Sequence, residues 1–348
     1  MMSEASNNLH NCHLIIGGGG FIGRHVGLAL AHKQERVILA GRRRPDFFEK
    51  IKFPKNVMWM DIDMYNTDWE ACIENVDIIH FYAWGSLPST ANLNPKSDLD
   101  LNVGALVSLL DAVRKRGYGR VVFSSSGGTV YGPPRQVPTP ETHNLAPINA
   151  YGASKATAEI YLNLYKNLYG LDCRIARIAN PYGAGQDIEK GLGAVTTFTN
   201  KALKNRPIEI WGTGEVIRDF IHISDVTEAL TLLSMKNIQQ QNSVFNIGSG
   251  TGTSLNKIIT ALEHRLNRKL HVVYKPSRSF DVPSNVLSIQ SMKKTFNWRP
   301  QVTLDDGLGR MLTDLAEHPD ISRLHTDPYV NFNDDYTRDL QYTDCIQY

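Results

Sequence analysis

A doubly wound α/β fold, with parallel strands between helical layers and a smaller C-terminal lobe, is what this sequence predicts. Three observations carry that expectation. Short β-branched runs alternate with helical runs as far as Asn180, a glycine cluster separates the first strand from the first helix, and the alternation becomes irregular afterwards.

In order, His13 to Ile16 is a short apolar strand that runs straight into Gly17-Gly18-Gly19-Gly20. Phe21 to Ala31 carries small and apolar residues at helical spacing. Arg36 to Ala40, Val57 to Met60 and Val76 to Phe81 read as the next strands, the last preceded by a short helix around Trp69 to Glu74. Leu99 to Arg116 is a longer helix with Leu101, Ala105, Leu109 and Val113 on it. Arg120 to Phe123 is the fifth strand, Tyr151 to Tyr169 the next helix, and Cys173 to Ile178 the sixth strand. Strands separated by helices of this length are parallel strands joined by crossovers. Beyond Asn180, Pro181, Gly183 and Gly185 open a loop; a helix follows from about Gly193 to Leu203, then a strand from Pro207 to Trp211.

The bulk properties narrow the class. A chain of 348 residues has room for a large core with a second lobe. Its 42% hydrophobic and 21% charged residues are ordinary for a water-soluble domain. Lys and Arg number 37 against 35 for Asp and Glu, and a net charge of +2 gives no reason to expect nucleic-acid or membrane binding. The four cysteines, Cys12, Cys72, Cys173 and Cys345, form no Cys-x-x-Cys pair, which fits a reducing compartment. The opening residues MMSEASNNLHNC lack a basic stretch followed by an apolar one, and no run reaches the roughly 20 apolar residues of a membrane span. A cytoplasmic protein is expected. The histidines, His10, His13 and His222 among them, have no metal-ligand spacing, so no metal is expected.

The glycine cluster is the first chemical signal. Gly17, Gly20 and Gly23 have the spacing that lets a strand turn sharply and the backbone approach a pyrophosphate, with Phe21 and Ile22 opening the helix. The unpaired N–H groups of that helix N-terminus favour negative charge. A glycine cluster alone marks no more than a tight turn; inside a strand–helix–strand unit it marks a Rossmann-like dinucleotide site. At the end of the second strand, an acid would bind the ribose hydroxyls of NAD. The chain instead reads Ala40-Gly41-Arg42-Arg43-Arg44, and Arg42 and Arg43 suit the 2′-phosphate of NADP. The bland alternative is a solvated basic loop, so NAD or NADP stays open. Asp61 and Ile62 after the third strand are candidates for adenine contact, with nearby Asp63 an alternative to Asp61, and Tyr82, Ala83 and Trp84 leave the fourth strand beneath the expected cofactor. Trp84 reads equally as core. Asn102 is placed to brace the site.

The second signal is Tyr151-Gly-Ala-Ser-Lys155. Residues four apart share a helix face, and oxidation at a carbinol needs a base for the hydroxyl proton as hydride leaves. Tyrosine titrates near 10, and a neighbouring ammonium is expected to lower that value while reaching the cofactor ribose. Ser124, Ser125, Ser126 and Thr129 in FSSSGGTVYG are the candidate partner hydroxyls.

Together, Gly17-x-x-Gly20-x-x-Gly23, the serine run before Val130-Tyr131-Gly132, and Tyr151-x-x-x-Lys155 resemble the extended short-chain dehydrogenases, and within them the NAD-dependent epimerase/dehydratase family, notably the nucleotide-sugar 4-epimerases. The resemblance spans roughly residues 12 to 315. It implies Tyr151 and Lys155 as catalytic residues and a nucleotide-diphosphate sugar as substrate. It implies that Asn180, in Arg177-Ile-Ala-Asn180-Pro181, contacts the diphosphate region, and that Arg218, in the stretch beginning at Trp211, binds phosphate. Arg278 matches a diphosphate clamp and Asp281 a nucleoside-ribose contact. It also implies a homodimer built on the helices at Leu99 to Arg116 and Tyr151 to Tyr169. There are departures. Counted back from Val130-Tyr131-Gly132, the family's catalytic Ser or Thr falls on Gly127, so Ser126 is expected to take the role, with Ser125 second. Gly127-Gly128 also stands where the family's dehydratases carry Asp-Glu, which argues against dehydration.

The expected organisation is a polar leader at 1–11, a core dinucleotide-binding domain at 12–180, a mainly substrate-binding lobe at 181–321 with segments returning to the core, and a Tyr- and Asp-rich tail at 322–348. The expected function is 4-epimerisation by transient oxidation at the sugar C4, with NADPH-dependent reduction of a 4-keto-6-deoxy sugar as the alternative. A cofactor-binding protein without activity is the third reading, disfavoured by the intact Tyr151 and Lys155.

Overall fold

The computed structural model of the chain describes residues 11–46, 48, 53–187, 193–238, 243–277 and 282–317. Strand β1 (Cys12–Ile16) is buried along its length, and alternate side chains serve opposite faces: Leu14 and Ile16 join one core cluster, Ile15 the other. The chain continues through α1 (Phe21–His32), β2 (Arg36–Gly41), β3 (Val57–Asp61), α2 (Trp69–Ile73), β4 (Ile78–Phe81), α3 (Pro95–Arg116), β5 (Arg120–Ser126), α4 (Ala150–Tyr169) and β6 (Asp172–Ile178). It then forms β7 (Asn180–Tyr182), α5 (Ala194–Leu203), β8 (Ile208–Trp211), β9 (Ile217–His222), α6 (Ile223–Met235) and β10 (Val244–Ile247). The last elements are β11 (Gly252–Ser254), α7 (Leu255–Leu266), β12 (Val272–Lys275), β13 (Ser284–Asn285), α8 (Gln290–Phe296) and α9 (Leu304–Glu317).

Seven parallel strands form the main sheet in the order β10-β6-β5-β4-β1-β2-β3. The order reverses between β1 and β4, which opens a crevice at their carboxyl ends, the place where such sheets bind ligands. On one face, Val26 and Leu30 of α1 pack with Val226, Leu230 and Leu233 of α6 over Ile15, Leu39 and Val122. On the other, Leu106, Leu109 and Val113 of α3 and Leu162 of α4 cover Leu14, Ile79 and Val121. With apolar side chains covered on both faces, the strands read as near-continuous hydrophobic runs.

The helices that carry the site have strong ends. The Asn94 side chain accepts from Ser97 N (3.1 Å) and Pro95 opens α3; Asn149 accepts from Gly152 N (2.8 Å) and starts α4 one residue before Tyr151. Both helices end on a left-handed glycine, Gly117 and Gly170.

The lobe has its own core, where Val195 and Phe198 of α5 meet Ile208, Ile258, Leu308 and Met311. Strand β9 pairs with β7 and β13 in parallel and with β11 antiparallel, while β8 pairs with β12. Between these pieces, α6 and β10 return to the main sheet.

Three local expectations differ from the structure. The segment after Asn180, read as a loop from Pro181 and the glycines, begins as strand β7 because β9 lies beside it, with Asn180 opposite Phe220. The helix expected from Leu99 starts at Pro95, because the Asn94 cap lies ahead of the apolar pattern. Strand β5 runs on to Ser126, since β6 pairs with it as far as Ile178. The leader up to residue 10 and the tail at 322–348 lie outside the described residues.

Candidate active site

The glycine turn closes against the end of β2. Gly17 N and Gly18 N both donate to the Ala40 carbonyl (2.9 and 3.0 Å), and Gly20 N donates to Gly17 O (2.9 Å). Gly17 has φ +92°, and a Cβ there would lie 2.7 Å from Ala83 N at the exit of β4. At Gly23 a Cβ would run into the Gly17 carbonyl. The turn is therefore built of backbone alone and leaves no room for side chains. Gly20 caps α1 without a side-chain hydrogen bond, leaving its first N–H groups facing outward beside half-buried Phe21 and Ile22. Such a cradle fits the pyrophosphate of a dinucleotide.

Around the exits of β2 and β3, Gly41 packs against the Trp59 indole, and Arg42 and Arg43 are exposed. Arg44 is drawn aside over the Phe48 ring, 5.2 Å from its centroid. Asp61 accepts from Trp59 Nε1 (2.8 Å), and Ile62 is buried in the sheet core.

At the exit of β4, the Tyr82 hydroxyl turns back toward the strand onto His80 Nδ1 (2.7 Å), and Ala83 N donates to Ile16 O (2.9 Å). Gly85 N donates to Asn102 Oδ1 (2.7 Å), and Asn102 Nδ2 donates to the Asp98 carbonyl (2.8 Å) and carboxylate (3.0 Å). Asp98 also accepts from Ser86 and from Ser154. The sequence reading missed Asp98, Ser86 and Ser154. The available signal was the position of Asp98 one helical turn before Asn102.

Tyr151 and Lys155 lie in the first two turns of α4. Lys155 is 2% exposed; its Nζ donates to the Ser124 carbonyl (2.7 Å) and sits 3.8 Å from the Trp84 ring centroid, 4.7 Å from that of Phe123 and 5.8 Å from that of Tyr151. Trp84 and Tyr151 meet edge-on, ring centres 6.4 Å apart. One point corrects the expectation. Burial, with the Asp98 charge adding to it, pushes the Tyr151 phenol above its ordinary value near 10. The same burial pushes Lys155 down to about 7 against the opposing pull of Glu159 and Asp98. In the protein alone, the lysine does not lower the tyrosine: both groups are desolvated, and each resists its charged form.

The serine run divides by strand alternation. Ser125 points to the helix side, where its hydroxyl donates to Glu159, itself paired with Arg177 (2.6 Å). Arg177 donates to the Tyr131 hydroxyl (2.8 Å), which donates on to Asn246 Oδ1 (2.7 Å). Ser125 and Tyr131 thus belong to a buried brace between α4, β6 and β10, and Ser125, the second candidate partner of Tyr151, is occupied there. Glu159 is another residue the sequence reading missed. Ser124 contributes its carbonyl to Lys155. Ser126 is half-buried, and its hydroxyl has no partner among the described residues. Nearby, the Thr129 hydroxyl is buried with no hydrogen-bond partner among the described residues. Gly127 N donates to Ile178 O (2.8 Å), its carbonyl accepts from Asn285 (3.2 Å), and a Cβ there would strike the Leu287 methyls.

Toward the lobe, Asn180 Nδ2 donates to the Asp219 carbonyl (2.9 Å). Arg218 donates to Val282 O (2.7 Å), and Trp211 is exposed at the end of β8. Buried Asp219 accepts from Ser249 N (2.7 Å), Ser249 Oγ (2.6 Å), Gly250 N (3.2 Å) and Leu287 N (3.1 Å), fixing the loops beside Gly127. Arg278 and Asp281 lie outside the described residues. Among the described residues, no group of three or more His, Cys, Asp or Glu could hold a metal ion, and no helix is long and apolar enough to cross a membrane.

A parallel sheet with a glycine turn at its switch point, and a Tyr–Lys helix at the same edge, defines the extended short-chain dehydrogenase class. The chain belongs to the NAD dependent epimerase/dehydratase family, whose model matches residues 13–248. It is 31% identical over 299 residues to a putative UDP-glucose 4-epimerase of Methanocaldococcus jannaschii, covering 86% of this chain and 96% of that one. It is 30% identical over 313 residues to a dTDP-4-dehydro-6-deoxyglucose reductase of Escherichia coli, covering 87% and 96%. In three dimensions it resembles the UDP-glucose 4-epimerase of Thermotoga maritima, solved with UDP-glucose, at TM-score 0.82 and 31% identity over 88% of this chain and 99% of that one.

Proposed function

We propose that the chain is an NAD(P)-dependent 4-epimerase of a nucleotide-diphosphate sugar. The observation that carries this reading is Tyr151 beside Trp84 and Lys155 at the mouth of the crevice. A dinucleotide held by the Gly17–Gly23 turn and Lys155 would supply a hydride acceptor for the sugar C4 and a positive charge that favours the phenolate. Tyr151 takes the C4 hydroxyl proton as the hydride leaves and gives it back to the carbonyl oxygen when the hydride returns to the other face. Lys155 holds the ribose side of the site, and Ser126 hydrogen-bonds the reacting oxygen in both its states. Asn180 and Arg218 would hold the diphosphate while the hexose turns, so that binding energy far from C4 keeps the intermediate in place.

A second reading is one-way reduction of a nucleotide-linked 4-keto-6-deoxy sugar by NADPH. Arg42 and Arg43 at the adenosine edge favour it, as does the similarity to the Escherichia coli reductase. The reading also includes a homodimer, supported by the exposed apolar side chains Leu99 and Leu101 on α3 and Ile160, Tyr161, Leu164 and Leu168 on α4.

Purified protein incubated with UDP- and dTDP-hexoses separates these readings. Interconversion of C4 epimers without added reductant is expected for the epimerase. Stoichiometric NADPH consumption with a 4-keto sugar selects the reductase instead. Tyr151→Phe is expected to lower either rate by about 10²-fold or more while leaving dinucleotide binding intact, and undiminished turnover in that variant refutes the assignment.

A further inference from the structure

We propose that the Trp84 indole is a gate over Lys155, rotating off the ammonium to admit the ribose on the nicotinamide side of a dinucleotide. The inference rests on the reading that the glycine turn and Lys155 hold such a cofactor, and it adds what must move for Lys155 to reach it. An ammonium has three N–H donors. On Lys155, one goes to the Ser124 carbonyl at 2.7 Å. The sides left over are covered by rings, with Nζ 3.8 Å from the centroid of Trp84 and 4.7 Å from that of Phe123. Contact that close leaves no room for an oxygen between ammonium and ring, and Lys155 is only 2% exposed. A ribose hydroxyl accepting from Nζ therefore has to take the place of one of the two rings.

The two rings are unequal. Phe123 lies within β5, fully buried in the sheet core, and displacing it would open a cavity there. Trp84 stands beyond the end of β4, half-buried on the rim of the same core. Its Nε1 is buried with no hydrogen-bond partner among the described residues, so nothing directional ties the indole where it lies. A buried indole that serves only as packing ordinarily has its N–H paired. The backbone on either side is held, by contrast: Ala83 N donates to Ile16 O (2.9 Å) and Gly85 N to Asn102 Oδ1 (2.7 Å). The motion is thus a rotation about the side-chain bonds, not an opening of the loop. What keeps the indole down is the attraction of the charge to the ring face, which is strongest in a desolvated site. Ribose hydroxyls replace that attraction when they accept from Nζ.

ADP-ribose and ADP test the gate without hydride transfer, because only the first carries the ribose that competes for Lys155. The full-length protein, freed of bound nucleotide, is titrated with each by calorimetry and by tryptophan emission. The chain has five tryptophans, so the Trp84 signal is taken as the difference between wild type and Trp84→Phe. ADP-ribose is expected to shift that signal as the ammonium leaves the ring face, and ADP to leave it unmoved. Trp84→Leu, which fills space without a π face, should bind ADP-ribose about tenfold tighter than wild type with ADP affinity unchanged, and Trp84→Phe should fall between. Equal or weaker binding of ADP-ribose by folded Trp84→Leu overturns the gate while the dinucleotide reading stands. So does a Trp84 signal in wild-type protein that ADP-ribose leaves unmoved, or that ADP shifts equally, and this measurement needs no folded leucine variant. Failure of both ligands to bind wild type overturns both readings.

Discussion

On α4, the hydroxyl of Ser154 donates to the carboxylate of Asp98 on α3, which is 5% exposed. Ser86 and Asn102 supply the remaining donors, and Asp98 has no ion-pair partner among the described residues. A buried carboxylate satisfied by neutral groups alone projects its charge onto its surroundings, and it raises both Tyr151 and Lys155. In Asp98→Asn, both groups should titrate lower, so the limbs of the pH–rate profile that they set should move to lower pH. Ser154→Ala keeps the charge but removes one donor, and it should cost about 1–3 kcal/mol in denaturant unfolding. An unmoved pH profile in folded Asp98→Asn would show that the carboxylate acts only as scaffold.

Ser125 and Ser126 are adjacent in sequence and should behave oppositely. Ser126→Ala removes a hydroxyl that faces the reacting oxygen in the proposed mechanism, and kcat should fall by about 10²-fold. Ser125→Ala leaves a buried oxygen of Glu159 short of a donor, so it should lower stability by about 1–3 kcal/mol with little change in kcat. Gly127→Ser, which puts a hydroxyl where the family resemblance leads one to expect the catalytic one, should be destabilised by collision with Leu287 and should not replace Ser126. Steady-state kinetics and urea midpoints on the three variants decide among these outcomes.

Stability should fall with acid earlier than carboxylate titration alone requires. Burial pushes His13 down to about 4, His25 and His222 to about 3, and His80 well below the usual imidazole range. His13 and His80 are joined ring to ring at 2.9 Å, and His80 continues to Tyr82. In the unfolded chain each titrates near 6.5. Between about pH 6.5 and 4 the unfolded state therefore holds more protons, and stability drops as pH falls, by at most about 1.4 kcal/mol per group per pH unit. Asp219 and Asp225, which burial pushes upward, oppose this at the acid end of the window. Urea midpoints measured at pH 7.5, 6.5 and 5.5 should decline, and a constant midpoint across that range contradicts the assignment of neutral buried histidines.

The apolar stripe of α4 gives a prediction about assembly. Leu164 and Leu168 are exposed at 43% and 63%, one turn apart. Leu164→Glu/Leu168→Glu should convert a dimer to a folded monomer in sedimentation analysis, because the side chains carry no core packing within one chain. A wild-type protein sedimenting as a monomer at micromolar concentration would remove the homodimer from the reading.

Much of this molecule is legible in order along the chain. The strands, the crossovers, the glycine turn and the Tyr151–Lys155 spacing all follow from local chemistry, because hydrophobic period and the steric needs of tight turns are properties of neighbouring residues. The hydroxyl partner was not legible to the same depth. Three serines in a row are chemically alike, and only the pairing of β5 with β6 and the position of Glu159 on α4 decide that Ser125 turns inward while Ser126 does not.

What the sequence determined by itself, then, is the parallel sheet, its cofactor-shaped turn and the tyrosine-lysine pair one helical turn apart. Tertiary structure alone decided the electrostatics of that pair: Trp84, Phe123 and the Ser124 carbonyl enclose the ammonium, and Asp98 comes to it from another helix. Desolvation and charge act through space between elements distant in sequence, and no spacing along the chain encodes them.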